Sequence, residues 1–194
     1  MAFKYAVALT GGIATGKSTA GKILQEMGFD LIDADKIAHA LLEEHSSRIV
    51  SLFGREVMGR DGRINREALG RIVFANSQKK RLLESLLHPL IYQRIEDLSM
   101  ALDREERSYL VDIPLFFETR RYPIERVVVV YAPREIQQTR LMMRNGYTQE
   151  EAERRLSSQM DIEEKRKMAT YIIDNSSTVE SLQEECVKIS KLIG

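Results

Sequence analysis

Short apolar runs alternate along this chain with segments of helical spacing. Lys4 to Thr10 (KYAVALT) runs into Gly11-Gly12, which predicts a buried strand. From Lys17 to Met27 the pattern is helical, and Gly28 supplies a stop. Phe29 to Asp33 (FDLID) reads as a second short strand, followed by a helix from about Lys36 to Glu44. Tyr109 to Ile113 (YLVDI) and Arg126 to Tyr131 (RVVVVY) are runs of the kind found in sheets covered on both faces. Pro133 opens a helix that Gly146 ends, and Thr148 with Glu151 has capping-box spacing for the next one. Tyr171 to Asp174 (YIID) predicts a last strand, with a terminal helix from about Thr178.

Between Ser46 and Arg107 the texture changes, and no convincing buried strand occurs. Gly54, Gly59 and Gly62 mark turns around Asp61-Gly62. Apolar residues from Leu82 through Leu86, Leu90 and Ile95 to Leu102 recur at helical intervals, predicting a long helix with one broad apolar stripe. Pro89 lies inside it and is expected to kink or divide it. Strands alternating with helices predict an α/β domain with a parallel sheet. Residues 1–44 and 108–194 then form one core, interrupted by a helical insert at 45–107. A chain of 194 residues suffices for both.

Charge changes the picture more than overall composition does. The 29 basic and 29 acidic side chains cancel, which weighs against a general nucleic-acid binder. The N-terminus lacks the apolar region and cleavage site of a signal peptide. No stretch approaches the roughly 20 apolar residues that cross a bilayer. Cys186, the single cysteine, excludes an internal disulfide and reads as an ordinary helix residue. These features point to a cytoplasmic protein without a nucleic-acid or membrane partner, and they are compatible with a monomer.

The strongest chemical signal is Gly11-Gly12-Ile13-Ala14-Thr15-Gly16-Lys17-Ser18, followed by Thr19, which fits G-x-x-x-x-G-K-[ST] between a strand and a helix. Glycines let successive N–H groups converge on anionic oxygens, and the helix N-terminus adds to the attraction. Lys17 can reach the terminal phosphates, and the Ser18 hydroxyl can ligate Mg²⁺. A chance match is expected on the order of once in a hundred such chains. ATP or GTP is the implied ligand.

Acids and arginines refine this. Asp33-Ala34-Asp35 stands at the end of the second strand, where ligand crevices open in α/β sheets. Asp35 could take or orient the proton of an acceptor hydroxyl, or cap the next helix. Asp33 could reach a metal through water or cap its strand. Asp112 closes a buried run as a Walker-B acid does, and either metal contact or acceptor orientation fits it. Arg140 and Arg144 share a helix face, and Arg154 and Arg155 follow in a charged helix. Such cations can surround a transferring phosphoryl group when a segment closes.

Taken in order, these residues resemble the dephospho-coenzyme A kinases, relatives of the nucleoside-monophosphate kinases, nearly end to end. The likeness runs through Ile32-Asp33-Ala34-Asp35, Asp61-Gly62 with Arg66, Leu87-His88-Pro89, Asp112-Ile113-Pro114-Leu115 and Glu118. It continues through Gln137, Arg140, Arg144, Arg155, Gln159, Lys165 and Ile172-Ile173-Asp174-Asn175. The resemblance implies a five-stranded parallel P-loop core flanked by helices, an acceptor-side insert and a lid at about 145–160. It implies transfer of the ATP γ-phosphate to the ribose 3′-hydroxyl of dephospho-coenzyme A. By the same likeness Asp35 is the base, Lys17 and Arg140 act on the phosphates, and Arg144 and Asn175 lie on the nucleotide side. Asp33, His88, Asp112 and Leu115 fall on the acceptor side, His88 as an acceptor-site or packing residue rather than a catalyst. Two departures stand out. Ile13-Ala14-Thr15 replaces a stretch that commonly has a second glycine and a serine, with side chains expected to face outward or stay small. Thr170 replaces an aspartate whose expected place is the adenine or lid side.

A nucleotide switch is disfavoured, since neither a D-x-x-G element nor an N-K-x-D motif occurs. A P-loop kinase for another small acceptor, such as a nucleoside monophosphate, is the nearer alternative.

Overall fold

The computed structural model describes residues 2–194. In chain order the elements are β1 (Ala6–Gly11), α1 (Lys17–Glu26), β2 (Leu31–Asp33), α2 (Ala34–Glu44), α3 (Ser46–Phe53), α4 (Arg66–Ala75) and α5 (Ser77–Asp103). There follow β3 (Tyr109–Asp112), α6 (Phe116–Thr119), β4 (Arg126–Tyr131), α7 (Arg134–Asn145), α8 (Gln149–Leu156), α9 (Ile162–Met168), β5 (Tyr171–Asp174) and α10 (Val179–Ile193). They group into two compact units, one of residues 2–33 with 99–194 and one of residues 34–98. Sequence texture set the insert at 45–107; compactness draws its limits at 34 and 98, because α2 groups with the helices after it and the end of α5 with the sheet.

The first unit holds a five-stranded parallel sheet in the order β2-β3-β1-β4-β5. All of β1 is buried and β4 is buried from Val127 onward, as strands covered on both faces must be. The chain leaves β1 for one side of the sheet and later returns to the other. The C-terminal end of β1 is therefore a topological switch point, where a crevice opens. On one face α1 and α10 pack over the strands. Leu182, Cys186, Ile189 and Ile193 of α10 recur at helical spacing and join Leu24, Leu9 and Val130 in the main core. Burial there pushes the Cys186 thiol up to about 11, so it stays protonated and acts as a small apolar side chain. The last turn of α5 is tied to this unit: Asp103 accepts from the Tyr5 amide at 2.9 Å and from the Tyr109 hydroxyl at 3.2 Å.

The second unit is helical, with its own core of Ile49, Phe53, Val57, Ile64 and Leu69. Gly62, at φ +77°, turns the chain between Met58 and Ile64, which form an isolated antiparallel bridge. Asn65 caps α4 by accepting from the Ala68 amide at 3.0 Å.

Two local expectations change. The helix after β2 begins at Ala34, so Asp35 sits inside its first turn rather than capping it. Pro89 does not divide α5, which runs as one 27-residue helix. A proline removes one intrahelical hydrogen bond, a loss this long helix carries. The capping box at Thr148 and Glu151 and the left-handed stop at Gly146 form as their spacing implied.

Leu24 is fully buried between α1 and the sheet. Leu24→Ala is expected to destabilise the protein by about 2–5 kcal/mol, read from the urea midpoint at unchanged m. A loss below about 1 kcal/mol would contradict the placement of the core.

Candidate active site

The turn between β1 and α1 has no room for side chains at three positions. A Cβ on Gly11 would stand 2.7 Å from Thr15 Oγ1, and one on Gly12 would stand 2.9 Å from Gln137 Oε1. Gly16 combines φ +91° with a place where a Cβ would collide with Asn175 Nδ2. The Thr15 side chain does not face outward. It is fully buried, and its hydroxyl donates to the Gly12 carbonyl at 2.9 Å, tightening the turn from within. Ala14 takes a left-handed φ of 61°, which costs a non-glycine residue about 1–2 kcal/mol. Asn175 braces the turn from behind, donating from Nδ2 to the Thr15 carbonyl at 2.8 Å.

This bracing leaves donors over. Among the described residues nothing accepts from the backbone N–H groups of Ala14, Gly16, Lys17 or Ser18. Four unsatisfied amides at the N-terminus of α1 form an anion nest, reinforced by the helix dipole. Lys17 stands beside it, its ammonium paired with the carboxylate of Asp112 at the end of β3. Asp112 in turn lies in register with Asp33 at the end of β2. The pair is mostly enclosed, with 13% and 9% of the two side chains exposed. Ser18 is exposed, and its hydroxyl bonds to no described residue.

A cleft of about 500 Å³ opens next to the nest, lined by Gly16, Thr19, Arg140, Arg144, Asn175 and Val179 among others. Arg140 donates from Nη2 to the Asn175 carbonyl at 2.9 Å, while its Nη1 is buried with no partner. A buried, unspent guanidinium donor costs free energy unless a ligand accepts from it. Met143 and Val179, 82% and 64% exposed, give the cleft apolar walls suited to a flat ring. A nest for phosphate next to an apolar slot with a cationic edge has the outline of a nucleotide site.

The family model for dephospho-CoA kinase matches residues 5–181. A dephospho-CoA kinase of Helicobacter pylori is 46% identical over the whole of both chains. One from Sulfurimonas denitrificans is 50% identical, covering 96% of this chain and 92% of the relative. Among solved structures, the dephospho-CoA kinase from Campylobacter jejuni aligns over 100% of this chain and 99% of its own, with TM-score 0.74 and 38% identity. This chain belongs to the dephospho-CoA kinase family.

Within the family frame, the first unit brings together Gly11 to Thr19, Asp33, Asp112, Arg140, Arg144 and Asn175, all on its nest and cleft side or at the adjoining strand ends. Leu115, largely exposed, precedes α6 just after Asp112. Asp35 and His88 belong to the second unit, Asp35 exposed on the first turn of α2 and His88 half-buried on α5. Arg154 and Arg155 do not line the cleft. Arg155 instead stacks over the Tyr147 ring at 4.7 Å. Thr170 is not on the adenine or lid side: its hydroxyl accepts from the Val127 amide at 3.0 Å, pinning the start of β5 to the start of β4, the end of the strands away from the cleft.

Sequence reasoning assigned no role to a buried network beneath the nest. Lys165, fully enclosed, donates to the Gly11 carbonyl at 3.0 Å and the Pro114 carbonyl at 3.3 Å, and pairs with Glu118 at 2.7 Å. Gln137, also buried, donates to the Ala132 carbonyl at 2.7 Å and fills the space behind Gly12. A lysine in a charged helix reads as solvated, and only tertiary packing turns this one inward.

Gly16→Ala combines left-handed strain with a clash against Asn175. It is expected to weaken ATP binding at least tenfold, read by calorimetry, while far-UV circular dichroism stays native. Unchanged ATP affinity would mean that the turn is not held as described.

Proposed function

We propose that this protein transfers the γ-phosphate of ATP to the ribose 3′-hydroxyl of dephospho-coenzyme A, giving coenzyme A and ADP. The observation that carries the reading is the set of unpartnered amides at α1, bordered by the enclosed Lys17 and by a cleft with a spare Arg140 donor. The β- and γ-phosphates occupy the nest formed by Gly11 to Thr19, and Lys17 moves from Asp112 to bridge them. The base lies in the cleft against Asn175 and Arg144, and Arg140 Nη1 donates to a phosphate oxygen. Asp35 takes the proton of the 3′-hydroxyl as its oxygen bonds to the γ-phosphorus and the bond to the ADP oxygen breaks. Asp33, His88, Asp112 and Leu115 contact the acceptor, the helical insert holds its body, and residues 145–160 close as a lid that excludes water.

The donor set suits Mg²⁺. The free Ser18 hydroxyl is a hard oxygen ligand, and no group of three acidic, imidazole or thiol ligands gathers among the described residues. A cation held by Ser18 would thus share most of its coordination with phosphate oxygens and water, as Mg²⁺ commonly does. It would neutralise charge on the transferring group. No described helix is long and apolar enough to cross a membrane. The kinase reading places the enzyme in the cytoplasm, and a monomer is compatible with it.

Purified protein with Mg-ATP and a panel of dephospho-coenzyme A, nucleoside monophosphates and shikimate tests the acceptor. Phosphorylation of dephospho-coenzyme A is expected; its neglect in favour of another acceptor would overturn the reading. Lys17→Ala should lower kcat by about 10²–10³-fold, the scale for losing one preorganised charge partner. Near-normal turnover would remove Lys17 from the transfer. Asp35→Asn should lower kcat by about 10²–10⁴-fold with little change in ATP affinity. An effect confined to ATP affinity would move Asp35 out of acceptor activation.

A further inference from the structure

One polar side chain over the nest has no assigned role. Gln159 lies in the turn between α8 and α9, and its Oε1 accepts from the backbone N–H of Ile13 at 3.0 Å. The orientation of the carboxamide is dictated by chemistry, because an N–H can only be met by the oxygen. The nitrogen, attached to the same carbon, is therefore held against the same turn with two donors that no described residue accepts.

The mounting ties this end of the lid segment to the turn. The Met160 amide donates to Glu118 Oε1 at 3.2 Å, and that same oxygen pairs with the buried Lys165, itself bonded to the Gly11 and Pro114 carbonyls. Ile13 and Ala14 pack beside Leu141, Ala152 and Leu156, which joins α8 to the turn through an apolar contact as well. Gln159 is thus tied to the segments that follow β1 and β3.

We infer that Gln159 is a phosphate-contacting residue: its Nε2 donates to a γ-phosphoryl oxygen and strengthens that bond as charge develops in transfer. This rests on the kinase reading above. A neutral amide adds a directed donor where Lys17 and Arg140 supply charge. Preorganised donors of this kind are worth about 10²–10³-fold in kcat.

Gln159→Glu separates contact from anchoring. The carboxylate keeps an acceptor for the Ile13 N–H but replaces both donors with negative charge facing phosphate. Gln159→Leu removes anchor and donors together. The expected order of kcat is wild type above Gln159→Leu, with Gln159→Glu at or below Gln159→Leu, at unchanged Tm. A second arm omits the acceptor: binding of Mg-ADP with aluminium fluoride, a mimic of the transferring phosphoryl group, should lose at least tenfold in Gln159→Glu, while binding of ADP alone does not. Gln159→Glu at wild-type activity with Gln159→Leu impaired would make the residue an anchor only and overturn the inference. So would no effect in either variant, a loss that tracks a fall in Tm, or equal fluoride-dependent binding in all three proteins. Failure of wild type to use dephospho-coenzyme A would instead count against the acceptor assignment, and the fluoride arm remains readable.

Discussion

The active end of the sheet depends on one constraint: the turn from β1 to α1 must hold the amides of Ala14, Gly16, Lys17 and Ser18 with nothing among the described residues to satisfy them. Such a turn is costly. It holds Gly16 and Ala14 in left-handed conformations and leaves several donors unspent. What keeps it in place is packing from behind. Asn175 holds the Thr15 carbonyl, Thr15 closes onto Gly12, and Lys165 holds Gly11. The strain is the counterpart of affinity, because a polyanion that accepts these donors recovers what folding left unsatisfied.

Charge is arranged on the same plan. Lys17 and Asp112 neutralise one another in a largely enclosed place, where either alone would be expensive. The pairing keeps the lysine at the mouth of the nest, and a phosphate can replace the carboxylate as its partner. Arg140 is half-committed, with one nitrogen on the Asn175 carbonyl and the other buried and free. The ends of β1, β3 and β5, with α7, thereby deliver cations and amides to one crevice at the topological switch point.

Much of this was legible in the residues. Continuous apolar runs such as Arg126 to Tyr131 identify strands buried on both faces, and their alternation with helices leaves a parallel sheet as the economical solution. The phosphate loop is readable because its glycines and Lys17 are demanded by local chemistry. What the sequence hid depends on long-range packing. The pairing of Lys17 with Asp112 links residues 95 apart, and the Ile13 bond to Gln159 links residues 146 apart. No periodicity encodes such contacts. The Ile13-Ala14-Thr15 stretch reads as side chains that face outward or stay small, but Thr15 turns inward into the space left by Gly11 and Gly12. By resemblance Thr170 belongs on the adenine or lid side, yet the register of β4 and β5 puts it at the other end of the strands.

The central claim is that phosphate takes the place of protein partners at this turn. A crystal structure with a non-hydrolysable ATP analogue, Mg²⁺ and dephospho-coenzyme A measures this directly. The account predicts phosphate oxygens within hydrogen-bond distance of the Gly16, Lys17 and Ser18 amides, with the Lys17 ammonium transferred from Asp112 to the phosphates and the Asp35 carboxylate on the 3′-hydroxyl. A nucleotide bound elsewhere, or one bound while Lys17 stays on Asp112 and Asp35 faces away from the acceptor, would contradict it.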